Sequence, residues 1–199
     1  MKRFSKVMCL IMAVAMIVCF AACGSKDGGS SDDGNVLYIG GIGPLSGDNA
    51  NYGNSVKNGC QLAVDEINEA GGINGMEVKL DFQDSQGDPD SAVSAYGLLM
   101  DNGMDVSLGG VLSGETTSIV AAAKADGILV LTPSGSAKDA ISGSDTAFRI
   151  CFNDPGQGTA SAEFIGAHNL PKKVAVFYQS DIDYSVGLYE NFIASAADN

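Results

Sequence analysis

The 199-residue chain carries 24 Asp and Glu against 11 Lys and Arg, a formal charge of −13, and a single His. So acidic a surface repels a phosphate backbone and argues against a nucleic-acid partner. The length allows one domain or two small lobes.

Lys2, Arg3 and Lys6 precede an apolar run over residues 7–22 that closes in Phe20-Ala21-Ala22-Cys23-Gly24-Ser25. A basic start, a short apolar stretch and small residues at its end read as an export signal. The run is shorter than the ~20 residues of a comfortable membrane span. A cysteine directly after the small residues resembles the lipobox of bacterial lipoproteins, with Phe20 where Leu is usual. The resemblance implies removal of residues 1–22 and acylation of Cys23, and at ~0.8 kcal/mol per buried methylene two or more chains anchor a protein stably. An ordinary secretory signal cut near Ala22 is the other reading. Processing would leave 8 basic against 24 acidic side chains, a formal charge of −16. Residues 24–34 are Gly, Ser, Asp and one Lys. With nothing apolar to bury, 23–34 reads as a flexible tether.

The folded pattern starts at 36–42, a short apolar run bounded by glycines that reads as a buried strand. Val56, Cys60, Ala63, Val64 and Ile67 fall at helical spacing within 54–70, ended by Gly71-Gly72. Here Cys60 reads as a small buried side chain. Val78, Leu80 and Phe82 alternate with polar residues as in a strand. Asp88-Pro89 has the form of an N-cap with Pro following, opening a helix that stops at Gly103. Then come a strand at 106–112, a helix at 116–126 with Gly127 beyond it, and strands at 128–132 and 147–152. A helix near 159–168, a strand at 174–178 and a helix from about Ser185 complete the pattern.

Strands alternating with helices predict an α/β fold with a parallel sheet covered by helices on both faces. Ligands of such sheets sit outside the carboxyl ends of the strands. The loops at 43–53, 113–116, 134–136 and 180–184 are therefore the candidate site. Asn153-Asp154-Pro155-Gly156, polar and turn-rich, is the expected break between two lobes.

The loop chemistry excludes several classes. Gly41-Ile42-Gly43-Pro44-Leu45-Ser46 lacks the third glycine of a dinucleotide fingerprint, and its helix starts too late to meet a pyrophosphate. His168, the lone histidine, lies at a polar helix end and reads as solvated, so no metal or other cofactor is expected. Ser113 in Gly110-Val111-Leu112-Ser113-Gly114 does not form a nucleophile elbow, and a hydrolase would need His168 as its base. What the loops offer is hydroxyls and free backbone N–H groups, suited to an amino-acid zwitterion. The alternative is that Ser113, Ser134 and Ser136 merely cap helices.

An ordered series of motifs separates the two. Gly43-Pro44-Leu45-Ser46-Gly47, Tyr52-Gly53, Gly59, Ala63-Val64-Asp65-Glu66-Ile67-Asn68 and Gly71-Gly72-Ile73-Asn74-Gly75 resemble the start of the Leu/Ile/Val-binding proteins of ABC transporters. The likeness continues through Asp84, Asp88-Pro89, residues 109–113, residues 128–133 and Asp183-Tyr184. It implies two α/β lobes that close over a small ligand: 35–153 as the N-terminal lobe and 154–199 as the start of an incomplete second one. By position, Ser113 matches a serine that binds the ligand α-carboxylate. Ser134, Gly135 and Ser136 match the segment that binds the α-ammonium and α-carboxylate. Tyr184 matches an aromatic that closes over the ligand, and Tyr52 a tyrosine beside the side-chain pocket.

Three departures leave the ligand side chain open: Ser134-Gly135 replaces Ala-Ala, Ser136 stands for Thr, and Ser185 for Gly. Receptors for branched-chain amino acids, amides, urea and aromatic acids all belong to the family resembled. The resemblance implies a lipid-anchored, extracytoplasmic receptor that hands its ligand to permease subunits of an ABC transporter, and no enzyme. A sensor built on the same lobes is the competing reading. Because Asn199 falls before the family's acidic ammonium partner, these residues alone are expected to bind ligand weakly.

Overall fold

The computed structural model describes residues 36–168, 170 and 173–197. The export segment, Cys23 and the 23–34 tether lie outside the described residues. Five parallel strands form one sheet: β1 (Val36–Gly43), β2 (Glu77–Asp84), β3 (Val106–Leu108), β4 (Leu129–Thr132) and β5 (Ala147–Arg149), in the order β2-β1-β3-β4-β5. The helices α1 (Ala50–Glu69), α2 (Pro89–Asp101) and α3 (Ser113–Asp126) connect the first four strands. A 3-10 turn (Lys138–Ile141) leads into β5, and α4 (Asp154–Ala167) and α5 (Asp183–Ala196) follow it. The architecture is the expected α/β one, a parallel sheet flanked by helices.

The chain turns one way from β1 to β2 and the other way to β3, so the loops after β1 and β3 part over the strand ends. That divergence creates the crevice where open α/β sheets hold ligands. The core lies between α2, α3 and the sheet, built from Ile42, Ala92, Ala95, Tyr96, Leu99, Met104, Ile119, Val120, Ala123, Val130 and Ala147. Burial of each large aliphatic side chain contributes ~1.5–3 kcal/mol, which fixes α3 and hence the loop before it. α1 is tied to β2 by Asn68, whose side chain donates to the Val78 carbonyl and accepts from its N–H, both at 2.8 Å.

Local signals act as expected at α2, where Asp88 accepts from the Ser91 N–H at 2.8 Å with Pro89 following. Other boundaries move. The expected strand at 106–112 ends at Leu108 because Gly109 and Gly110 leave the ladder, Gly110 at φ +68°. The expected strand at 147–152 likewise ends at Arg149. α1 starts four residues earlier than expected, and α4 begins at Asp154 because Asn153 accepts from the Gly156 N–H at 2.8 Å. The polar stretch at 153–156 forms the cap and first turn of α4.

The strand expected at 174–178 does not form. Among the described residues no strand follows Arg149, so this apolar run has no ladder to join, and Phe177 is fully exposed. Cys60 is half-buried on α1 instead of sealed in the core. It and Cys151 are free thiols, both pushed up by burial and protonated at neutral pH.

Candidate functional site

Two loops at the carboxyl ends of β3 and β4 meet through side chains far apart in sequence. Ser113, expected in a loop, is the first residue of α3 and only 5% exposed. Its Oγ accepts from the Ala137 N–H at 3.1 Å, joining the α3 N-terminus to the segment after β4. Ser134 donates to the Val111 carbonyl at 2.6 Å, so both serine loops are pinned to each other. Ser136, 4% exposed, lies in the same segment.

Beneath them sit two fully buried threonines. Thr132 donates to the Gly110 carbonyl at 2.7 Å and accepts from the Gly135 N–H at 2.8 Å. Thr116 donates to the carbonyls of Gly110 and Leu112 at 3.0 and 2.9 Å, and lies 3.3 Å from the Thr132 hydroxyl. These contacts explain glycine at 135. A Cβ there would lie 2.4 Å from Thr116 Oγ1, closer than side-chain atoms pack, so the Ala of the better-known pattern does not fit without a shift.

Charged residues hold the loops from behind. Arg149, at the end of β5, donates to the carbonyls of Gly135, Ser136 and Ala137 at 3.1, 2.8 and 2.9 Å, and to that of Lys138 at 3.2 Å. Such charge-assisted bonds are about twice as strong as neutral ones. Glu115, 1% exposed, accepts from the Ser85 hydroxyl at 2.5 Å and from the Leu112 N–H at 3.1 Å. Burial pushes its carboxyl up, against those hydrogen bonds, and nearby Asp84 adds to the rise. Asp84 itself accepts from the Leu45 N–H and Ser46 hydroxyl at 2.8 and 2.7 Å, fixing the loop after β1. Partial burial opposes its ionisation, but the hydrogen bonds from Ser46, Gln86 and Leu45 prevail and its pKa is lowered.

The structure thus brings together Ser113, Ser134, Gly135 and Ser136. Tyr52, in the first turn of α1, is 66% exposed, and Tyr184, in the first turn of α5, is 41% exposed. Neither shares a hydrogen bond with the serine loops. His168 is exposed, stacked on Phe164 at a centroid distance of 4.0 Å, and well placed for solvent. Sequence reasoning put Glu115 and Thr116 in a candidate loop without giving them roles, and missed Thr132 and Arg149. Arg149 carried a compositional signal, as the one arginine beyond Arg3.

The arrangement can hold an anion. The N–H groups in the first turn of α3 have no helical carbonyl partners, and the dipole there favours a carboxylate by ~0.3–1 kcal/mol. Ser113 accepts through its oxygen and keeps its own proton for a ligand.

Residues 36–199 match the family model described as a periplasmic binding protein. The chain is 35% identical over 160 residues to Leu/Ile/Val-binding protein homolog 3 of Brucella melitensis, covering 80% of this chain and 43% of that protein. It is 36% identical over 160 residues to the Leu/Ile/Val-binding protein BraC3 of Rhizobium johnstonii, with the same coverage. The crystal structure of the branched-chain amino acid transporter substrate-binding protein LivJ from Streptococcus pneumoniae, in complex with isoleucine, superposes with a TM-score of 0.76. Identity there is 31%, over 80% of this chain and 46% of that one. The chain spans less than half the length of these relatives.

Proposed function

The chain belongs to the periplasmic binding protein family, and on that premise we propose that the complete protein is an extracytoplasmic receptor that captures an amino acid of the branched-chain type. Family members bind solutes and are not enzymes. The observation that carries the reading is the Ser113–Ala137 contact, which sets a buried hydroxyl and the α3 N-terminus against the 134–137 loop at the strand ends.

In this reading the ligand α-carboxylate accepts from the Ser113 hydroxyl and the first-turn N–H groups of α3. The loop 134–136 offers the α-ammonium its carbonyl and hydroxyl oxygens. Tyr52 lies beside the ligand side chain, and Tyr184 closes from the second lobe, which starts after Asn153. Closure is a population shift, since ligand stabilises the shut form only through contacts made to both lobes. The shut form is then presented to the permease of an ABC transporter. Cys23, acylated after removal of residues 1–22, holds the receptor at the membrane through the 23–34 tether.

Calorimetry of the complete protein against an amino-acid panel tests the reading. Leu, Ile or Val is expected to bind at micromolar Kd or tighter, about −8 kcal/mol. Ser113→Ala should weaken that binding by ~1–3 kcal/mol. Binding by no amino acid, or turnover of an ester or amide lost in the same variant, would refute it.

A further inference from the structure

We infer that Arg149 is a positioning residue for recognition of the ligand carboxylate, acting through the peptide groups of residues 135–138. The inference rests on the amino-acid reading above and adds to it a residue that works from behind the loop.

A single nitrogen gathers that loop. Arg149 Nη1 donates to the carbonyls of Gly135, Ser136 and Ala137 at 3.1, 2.8 and 2.9 Å, and Nη2 to that of Lys138 at 3.2 Å. Every peptide bond among the described residues is trans, and a planar trans peptide carries its N–H opposite its C=O. The N–H groups of Ser136, Ala137 and Lys138 therefore point away from the guanidinium. The Ala137 N–H marks the direction: it donates to Ser113 Oγ at 3.1 Å, at the N-terminus of α3. The Ser136 N–H belongs to the neighbouring peptide and is turned away from the same nitrogen. Among the described residues it has no acceptor. Ser136 is 4% exposed, and buried N–H groups are nearly always paired. A carboxylate beside Ser113 supplies the missing acceptor.

The guanidinium also brings charge. It stands one peptide layer behind the loop, so its field favours an anion at Ser113 and polarises the peptides between them. A carbonyl bonded to a cation makes the N–H of its own peptide a stronger donor. Arg149, the 136–137 peptide and the Ser113 hydroxyl thus form one chain of hydrogen bonds, and the proton at its end is the one offered to the ligand. A fork with several donors in fixed geometry can hold consecutive carbonyls in this way, which a point-charge ammonium does less well.

The test compares L-leucine with L-leucinol, in which a hydroxymethyl group replaces the carboxylate while the ammonium and side chain are kept. Calorimetry on the complete protein should show the wild type preferring leucine by about 100-fold or more. Arg149→Ala should cut that preference by about tenfold or more, weakening leucine and leaving leucinol nearly unchanged. Millimolar guanidinium added to the variant should restore part of the lost preference by refilling the vacated place. A purely structural role would weaken both ligands together. Equal weakening, an unchanged ratio, or a lowered ratio that guanidinium does not move overturns the inference and leaves Arg149 a scaffold residue. Arg149→Met, which keeps the apolar stem and is read by the same ratio, serves if the Ala variant does not fold. A wild type that binds leucine and leucinol alike sinks this inference alone. One that binds no amino acid removes the receptor reading and this inference with it.

Discussion

Residues 36–149 and residues 150–197 obey different packing rules. In the first region sheet and helices bury one another, and the packed core cluster comes from it, Ile42 through Ala147. In the second, α5 has no buried residue, and α4 buries only Asp154, Gly158 and Ala162. Phe152 and Phe177 stand in the open, and so does Ile150 at 72% exposure. Regular helices form in both. Helix formation therefore follows from caps and local pattern, while a core needs a second surface to pack against, and only the first region supplies one within its own sequence.

The contrast can be tested at single positions. The largest effect is expected for Ile119→Ala, at a fully buried site in α3: a loss of about 2–5 kcal/mol, read by urea denaturation. Gly135→Ala should follow at about 1–3 kcal/mol, because the new methyl must displace Thr116 or the loop. It should also weaken ligand, whereas Ile119→Ala should act on stability alone.

A smaller effect is expected in acid. Asp84 has a folded pKa below its unfolded value, so its contribution is present above the unfolded pKa and disappears as pH falls through the folded one. Asp84→Asn should flatten that acid limb of melting temperature against pH. Glu115 has the opposite sign. Its folded pKa is raised, so its contribution is full below the unfolded pKa and declines as pH rises through the folded value. Glu115→Gln should remove that decline. The smallest effect is expected at Phe177→Ala, within about 0.5 kcal/mol, since the ring is already in solvent. A loss of several kcal/mol there would erase the contrast between the regions.

How far the site could be read in advance differed from residue to residue. The meeting of Ser113 with the 134–137 segment follows from both lying in strand-end loops of a parallel sheet, the expected place for a ligand, and the family resemblance named the positions as candidates. The helix boundary at Ser113 was not legible, because β3 stops at Leu108 and releases residues 109–112 as a buried turn. Arg149 is the one arginine beyond Arg3, a signal in so acidic a chain, yet nothing in sequence shows it reaching four carbonyls of residues 135–138. The strand expected at 174–178 failed for a related reason: an unbroken apolar run describes a segment that fits a sheet and does not supply the sheet.

The amino-acid sequence alone determined the alternation of strand and helix, the acidic composition and the short apolar run before Cys23, all of which depend on neighbours a few residues apart. The tertiary structure alone decided which polar groups meet. Ser113 and Ala137 are 24 positions apart, and Ser85 and Glu115 are 30 apart. Pairs at such separations are set by how β2, β1, β3 and β4 lie side by side, and that order is chosen by the burial of the whole core at once.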